Sequence, residues 1–210
     1  PTDIIAGFPV RPGLFELNGA TPLSNGVNFT THTRHGTSCE LLLFHSGEEE
    51  PFAVLPFPNA CRIGDVYSMI VMGLDIEDLE YGYRVDGPYE PEKGHIFDKT
   101  KVLLDPYAKA VAGQREWGQQ KVGSYHARVV RETFDWEDMP QSTRKISDLI
   151  IYELHVRGFT KDTHSKVKNK GTFQGVIEKI PYLKDLGINQ IQCMPVYEFE
   201  EAGVRVNYWG

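Results

Sequence analysis

The apolar pattern changes at Asp148, and the segment that follows restricts the fold more than anything before it. Leu149-Ile150-Ile151-Tyr152-Glu153-Leu154-His155-Val156 is a nearly continuous apolar run, the mark of a strand buried on both sides. Residues 160–171 are polar and Lys-rich and read as a loop. Thr172 is a suitable N-cap, because its hydroxyl accepts from the free backbone N–H groups of a helix start. Phe173, Val176, Ile177, Ile180, Leu183 and Leu186 then recur at three- and four-residue steps, forming one apolar helix face. Pro181 lies inside that run and is expected to kink or restart the helix, since it lacks a backbone donor. Gly187 is a good stop, and Ile188 to Met194 is a second strand ending at Pro195. Strand, helix and strand in this order make a βαβ unit, with parallel strands and a right-handed crossover.

Two parallel strands close nothing, and a (β/α)8 barrel takes about 250 residues. Left alone, the pair exposes unpaired backbone groups and apolar faces. The sequence stops at Gly210, directly after Asn207-Tyr208-Trp209. The expectation is therefore the amino-terminal part of a longer protein, its remainder absent here or supplied by another chain. The alternative is a complete small α/β domain.

Upstream, the chain reads as β-structure. Gly26 to Thr30, Cys39 to Phe44, Val66 to Val71 and Tyr81 to Asp86 are short apolar or alternating runs separated by Gly, Pro and Asn, which suggests an antiparallel sandwich. Asp105-Pro106 followed by Tyr107-Ala108-Lys109 is a candidate opening for a short helical turn. Residues 113–147 are mixed and polar and read as a connection covering one face of the sandwich. The expected division is a sandwich over 1–112, a connecting region over 113–147 and the α/β start over 148–210.

Charge narrows the function classes. Lys and Arg number 22 against 29 Asp and Glu, for a net charge of −7, and a nucleic-acid groove needs the opposite surplus. No run of about 18 apolar residues is present for a membrane span. The start, Pro1-Thr2-Asp3-Ile4-Ile5, has neither a basic nor an apolar leader region. Cys39, Cys61 and Cys193 form no close pair, so three buried thiols in a reducing, cytoplasmic setting are expected rather than disulfides or a zinc ribbon. His32 and His35 sit among turn residues, and no metal site is expected.

Two further segments carry a resemblance. Tyr81-Gly82-Tyr83-Arg84-Val85-Asp86-Gly87-Pro88-Tyr89-Glu90-Pro91-Glu92-Lys93-Gly94-His95, followed by Leu103-Leu104-Asp105-Pro106-Tyr107-Ala108-Lys109, resembles the amino-terminal module of bacterial glycogen debranching enzymes of the isoamylase type, in the α-amylase family. Ile150 to Thr160 looks like that family's first barrel strand and Gly187 to Val196 like its second. Asn207-Tyr208-Trp209-Gly210 matches a motif that family members follow with another Tyr. Ile96 stands where the family usually has Arg, and residues 30–35 depart from its pattern. The resemblance implies an immunoglobulin-like β-sandwich followed by the first βαβ unit of a (β/α)8 barrel. It also implies retaining hydrolysis of α-1,6 linkages in glycogen or related branched α-glucans, with no cofactor. The carboxylates of that reaction come from later strands, so no catalytic residue is assigned in this chain.

The carboxyl ends of barrel strands face the active site. That places Tyr208 and Trp209 as candidate sugar-lining residues, beside the family's Tyr that stacks on the sugar at the cleavage point; Trp209 stands where the family more often has His. Glu198, with Glu200 and Glu201, is a candidate for bonding sugar hydroxyls. Glu153 and His155 alternate along the first strand and are expected to point the same way, as a polar pair inside the barrel or under the site. Asp86, Tyr89, Glu90 and His95 are expected to shape turns and dock the barrel. Trp117 and Trp136 are a candidate stacking platform for a glucan, or else bury at an interface. Besides debranching, the same module order fits a branching enzyme, a pullulanase, a maltooligosyl-trehalose hydrolase, or a noncatalytic glucan-binding scaffold.

Overall fold

A computed structural model describes residues 3–113, 125–131, 134–137 and 142–197. The chain divides into two compact units, Pro1–Phe134 and Asp135–Gly210.

The first unit is built from thirteen strands among the described residues: β1 (Asp3–Ile5), β2 (Phe8–Pro12), β3 (Gly19–Leu23), β4 (Gly26–His32), β5 (Ser38–His45), β6 (Ala53–Pro56), β7 (Arg62–Ile63), β8 (Val66–Met72), β9 (Leu79–Asp86), β10 (Tyr89–Glu90), β11 (His95–Ile96), β12 (Ala110–Ala112) and β13 (His126–Arg128). One antiparallel sheet runs β1-β2-β8-β4-β3, with β7 also on β8; the other runs β12-β13-β9-β5-β6. β10 and β11 form a separate hairpin.

Alternation makes the core. Val27 and Phe29 of one sheet, with Met69 and Val71, meet Leu41, Leu43, Leu79 and Tyr81 of the other in a single buried cluster. Phe29 and Tyr81 touch edge to face, ring centroids 5.1 Å apart. Burying each such side chain stabilises the fold by roughly 1.5–3 kcal/mol. β5 is also covered on its outer face, where Leu42 and Phe44 are fully buried. Next to Leu42 stands Gly82, and a Cβ there would strike the Val102 side chain. The missing side chain thus lets residues 102–103 lie along β9, where Tyr83 and Leu103 exchange backbone hydrogen bonds.

The polar residues of β4 and β8 are also buried, and they are satisfied locally. Thr30 and Ser68 hydroxyls meet at 2.6 Å, and Asn28 donates to Thr30 Oγ1 at 3.0 Å while accepting the Leu14 N–H at 2.8 Å. This clasps the turn after β2 onto the sheet.

One expectation for this unit needs correction. Residues 126–128, read as part of a connection, are a strand of the sandwich itself. His126 is held there by Glu80, Nδ1 to Oε2 at 3.0 Å, and its ring stacks on Phe44 at 3.8 Å. Asp105-Pro106 opens a single turn, as expected, and no longer helix follows. The Asp105 carboxylate accepts the Tyr107 N–H at 2.8 Å and its carbonyl accepts from Ala108, which closes a single turn.

The second unit contains β14 (Ile151–Leu154), α1 (Val156–Lys161), α2 (Phe173–Glu178), α3 (Ile180–Asp185) and β15 (Gln190–Cys193). Thr172 caps α2, its hydroxyl accepting from Gly175 at 3.2 Å. The helix restarts at Lys179, with Pro181 in the first turn of α3 where no donor is needed. Gly187 takes φ +86° and lets the Ile188 N–H return to the Leu183 carbonyl. The strands pair in parallel, Ile151 with Gln190 through Leu154 with Cys193.

Here too the structure departs from expectation. The apolar run after Asp148 forms only a four-residue strand, and neither strand is buried on both sides: Leu154 alone is buried in β14, and all of β15 is exposed. Residues 156–161, expected as strand end and loop, form α1. Cys193 is exposed, while Cys39 and Cys61 are buried. Among the described residues of this unit, only Leu154, Thr160, Val167, Gly175, Val176 and Leu183 are buried, and Ile150, Ile151, Phe173, Ile177, Tyr182 and Leu186 stand exposed. Among the described residues, these strands lack the covering that parallel strands require.

Candidate functional site

In an α/β crossover unit, chemistry gathers beyond the carboxyl ends of the parallel strands. Clasps elsewhere in the unit hold its strands and its loop. At the opposite end of the pair, Asn189 Oδ1 accepts the Ile150 N–H at 2.8 Å and Nδ2 donates to the Asp148 carbonyl at 2.8 Å. Arg144 donates to the Asn189 carbonyl at 3.2 Å. Near α2, Glu178 accepts the backbone N–H groups of Lys168 (2.7 Å) and Asn169 (3.1 Å), which hold its carboxyl below the usual range. Thr160, fully buried, accepts the Gly171 N–H at 2.8 Å and ties the same loop to α1.

Beyond the carboxyl end of β14 the chain turns at once into α1. His155 is its N-cap, Nδ1 accepting the Gly158 N–H at 3.0 Å. The acceptor role of Nδ1 puts the ring proton on Nε2. Glu153 lies opposite Gln192, and the Gln192 amide donates to its carboxylate at 3.3 Å. After β15 the ladder runs one residue further, through Met194 N–H to the Leu154 carbonyl at 2.9 Å.

Glu198, Tyr208 and Trp209 lie outside the described residues, as do Glu200, Glu201 and Trp117. Trp136 is described and exposed. Among the described residues no group of three His, Cys, Asp or Glu is placed to hold a metal ion. No helix among them is long and apolar enough to cross a membrane.

The sandwich has its own concave feature beside the β10–β11 hairpin. A cavity of about 350 Å³ has an apolar floor of Val85, Ile96, Phe97 and Leu103 and a charged rim of Asp98 and Lys101. The Thr100 hydroxyl and N–H hold the Asp98 carboxyl below its ordinary range. Tyr89 and Ile96 face each other across the hairpin and both are largely exposed. Glu90 pairs opposite His95, whose ring meets that of His35 at 4.5 Å. Asp86 accepts the Gly87 N–H at 2.9 Å, turning the chain into the hairpin. Of this arrangement, sequence reasoning found the hairpin segment but missed the cavity, which depends on where residues 97–103 fold back.

Comparison with known proteins gives two family matches. Residues 18–108 match carbohydrate-binding module 48, the isoamylase N-terminal domain, and residues 154–209 match the α-amylase catalytic domain. Isoamylase 1, chloroplastic, of Arabidopsis thaliana is 38% identical over 224 residues, covering 97% of this chain and 28% of that protein. The glycogen debranching enzyme of Yersinia enterocolitica is 32% identical over 207 residues, covering 88% of this chain and 30% of that protein. The chain thus spans under a third of the length of these relatives. A crystal structure of pullulanase from Paenibacillus barengoltzii, in complex with maltohexaose and α-cyclodextrin, shares the fold. Its TM-score is 0.70 at 21% identity, over 90% of this chain and 28% of that one.

Proposed function

We propose, from the premise that this chain joins an isoamylase N-terminal carbohydrate-binding module to the opening part of an α-amylase catalytic domain, that it is the amino-terminal part of a hydrolase cleaving α-1,6 branch linkages in glycogen or a related α-glucan. The observation that carries the reading is the order of these two modules in one chain, with an α/β unit whose strand faces stand uncovered. The reaction is a retaining double displacement. A carboxylate attacks the anomeric carbon, a carboxylic acid protonates the leaving oxygen, and water then releases the glycosyl-enzyme with that second group acting as base. In such a site the two carboxyl groups stand about 5–5.5 Å apart; both come from strands beyond Gly210, and this chain contributes neither.

Its own contribution to substrate is the segment after β15. Tyr208 and Trp209 line the sugar site, where an aromatic face covers the apolar face of a glucose ring, and Glu198 accepts hydrogen bonds from sugar hydroxyls. The catalytic opening over 148–210 belongs to the same reading, with β13 counted in the sandwich, and so does a cytoplasmic location with intracellular glucan as substrate. The test is incubation of the full-length protein with glycogen, following new reducing ends and the iodine colour. Release of linear chains is expected. A folded protein that leaves glycogen unchanged refutes the reading.

A further inference from the structure

Resting on the reading of residues 154–209 as the opening of a catalytic barrel, we propose that Glu153 faces the interior of the closed barrel and that a basic side chain, Arg or Lys, from a later strand of the same domain pairs with its carboxylate there. The face is set by alternation. Tyr152 and Leu154 share one side of β14; Leu154 is buried and the Tyr152 ring packs against Phe159 of α1, centroids 5.7 Å apart. α1 therefore lies on the Tyr152 and Leu154 side of β14. Ile151 and Glu153 point the other way, and the parallel register adds Gln190 and Gln192 of β15 to their side. In a (β/α)8 barrel the helices form the outer ring and the other strand face fills the interior.

Every residue of that inner face is exposed in this chain. Closure by the remaining strands, which belong to the more than two thirds of the relatives' length not spanned here, removes it from water. A carboxylate taken out of water needs both hydrogen bonds and a compensating charge. Among the described residues, Glu153 accepts a hydrogen bond from the neutral Gln192 amide, and at 3.3 Å it is longer than a charge-assisted contact. The other inward positions, Ile151, Gln190 and Gln192, carry no cation. None of the described inward positions supplies the compensating charge, which the later strands are expected to bring.

The test compares melting of the full-length protein with Glu153→Gln and Glu153→Asp from pH 4 to pH 8. Glu153→Gln keeps the shape and removes the charge. It is expected to lower Tm by several degrees at neutral pH, with the gap to wild type closing as pH falls through the carboxylate range, where the wild-type group also loses its charge. Glu153→Asp is expected to retain most of the stability. A Glu153→Gln protein that melts at or above wild type at neutral pH overturns the proposal, because the carboxylate then has no charged partner. If Glu153→Gln does not fold, Glu153→Asp decides: a folded protein supports the pairing, and equal failure overturns it. Loss of the debranching reading through an inactive wild type is a separate result, since melting does not depend on turnover.

Discussion

The side-chain oxygen of Asn189 accepts the backbone N–H of Ile150 at 2.8 Å, across 39 residues of sequence. Its amide nitrogen donates to the Asp148 carbonyl in return. One side chain thus closes the starting ends of two parallel strands and sets their register. Asn189→Asp keeps the acceptor and loses the donor, and Asn189→Ala loses both. Destabilisation of about 1 kcal/mol per lost bond is expected, so the alanine variant should fall further in a denaturant melt of the full-length protein. Equal stability of all three proteins would remove this role from Asn189.

Asp105 is a buried acid of the sandwich. Tyr81 donates to it at 2.7 Å and Tyr107 N–H at 2.8 Å, yet burial outweighs both bonds and raises its carboxyl above the ordinary range. A carboxyl whose folded value is raised contributes stability that is fully present below its unfolded value, about 3.9. That contribution is lost as pH climbs through the folded value. Asp105→Asn removes the titration. Its Tm relative to wild type is therefore expected to rise as pH increases from about 4 toward neutrality, measured by calorimetry. A difference independent of pH would contradict this.

The thiols should divide by reactivity. Burial, with the nearby Glu40 charge, pushes the Cys39 thiol up to about 12, and burial followed by the Asp3 charge raises Cys61. Cys193 is exposed. Because the thiolate is the reactive form, a maleimide or disulfide reagent should label Cys193 of the native 210-residue chain and spare the other two until denaturant is added. Mass spectrometry of the labelled peptides checks this, and rapid native labelling of Cys39 would contradict the packing of β5.

How much of this was legible follows from how local each signal is. Thr172, Pro181 and Gly187 act within a turn of the helices they bound, so their roles could be read directly. The long alternating strands β5 and β9 were equally plain. β13 was not, because His126-Ala127-Arg128 is short and polar, and its place depends on Glu80, which lies 46 residues away. α1 was missed because its six residues include Val156, Gly158 and Thr160, poor helix formers, and its cap is a histidine. The apolar run outlasted the strand, because propensity marks residues that fit a sheet and not where its hydrogen bonds stop. Of the candidate sugar-binding residues, sequence placed Tyr208, Trp209 and Glu198 after the second strand, and the described structure ends at Tyr197.

Those residues are nonetheless open to test. In the full-length protein Trp209→Ala and Tyr208→Ala are each expected to lower kcat/KM on glycogen by about tenfold, equivalent to about 1.4 kcal/mol of lost transition-state binding, with Tm unchanged. Glu198→Gln should have a smaller effect of the same kind. Unchanged kinetics for both aromatic variants would remove them from the sugar site.

The most direct test of the whole account is backbone amide exchange over Ile151–Leu154 and Gln190–Cys193, compared between the 210-residue chain and the full-length protein. These strands carry exposed faces and free edges here, and as the opening of a larger catalytic domain they must be covered by its later strands. The expected result is fast exchange in the short chain and strong protection in the full-length protein. Equal protection in both would mean that the two strands need no further neighbours, and the reading of this unit as the start of a catalytic barrel would fail.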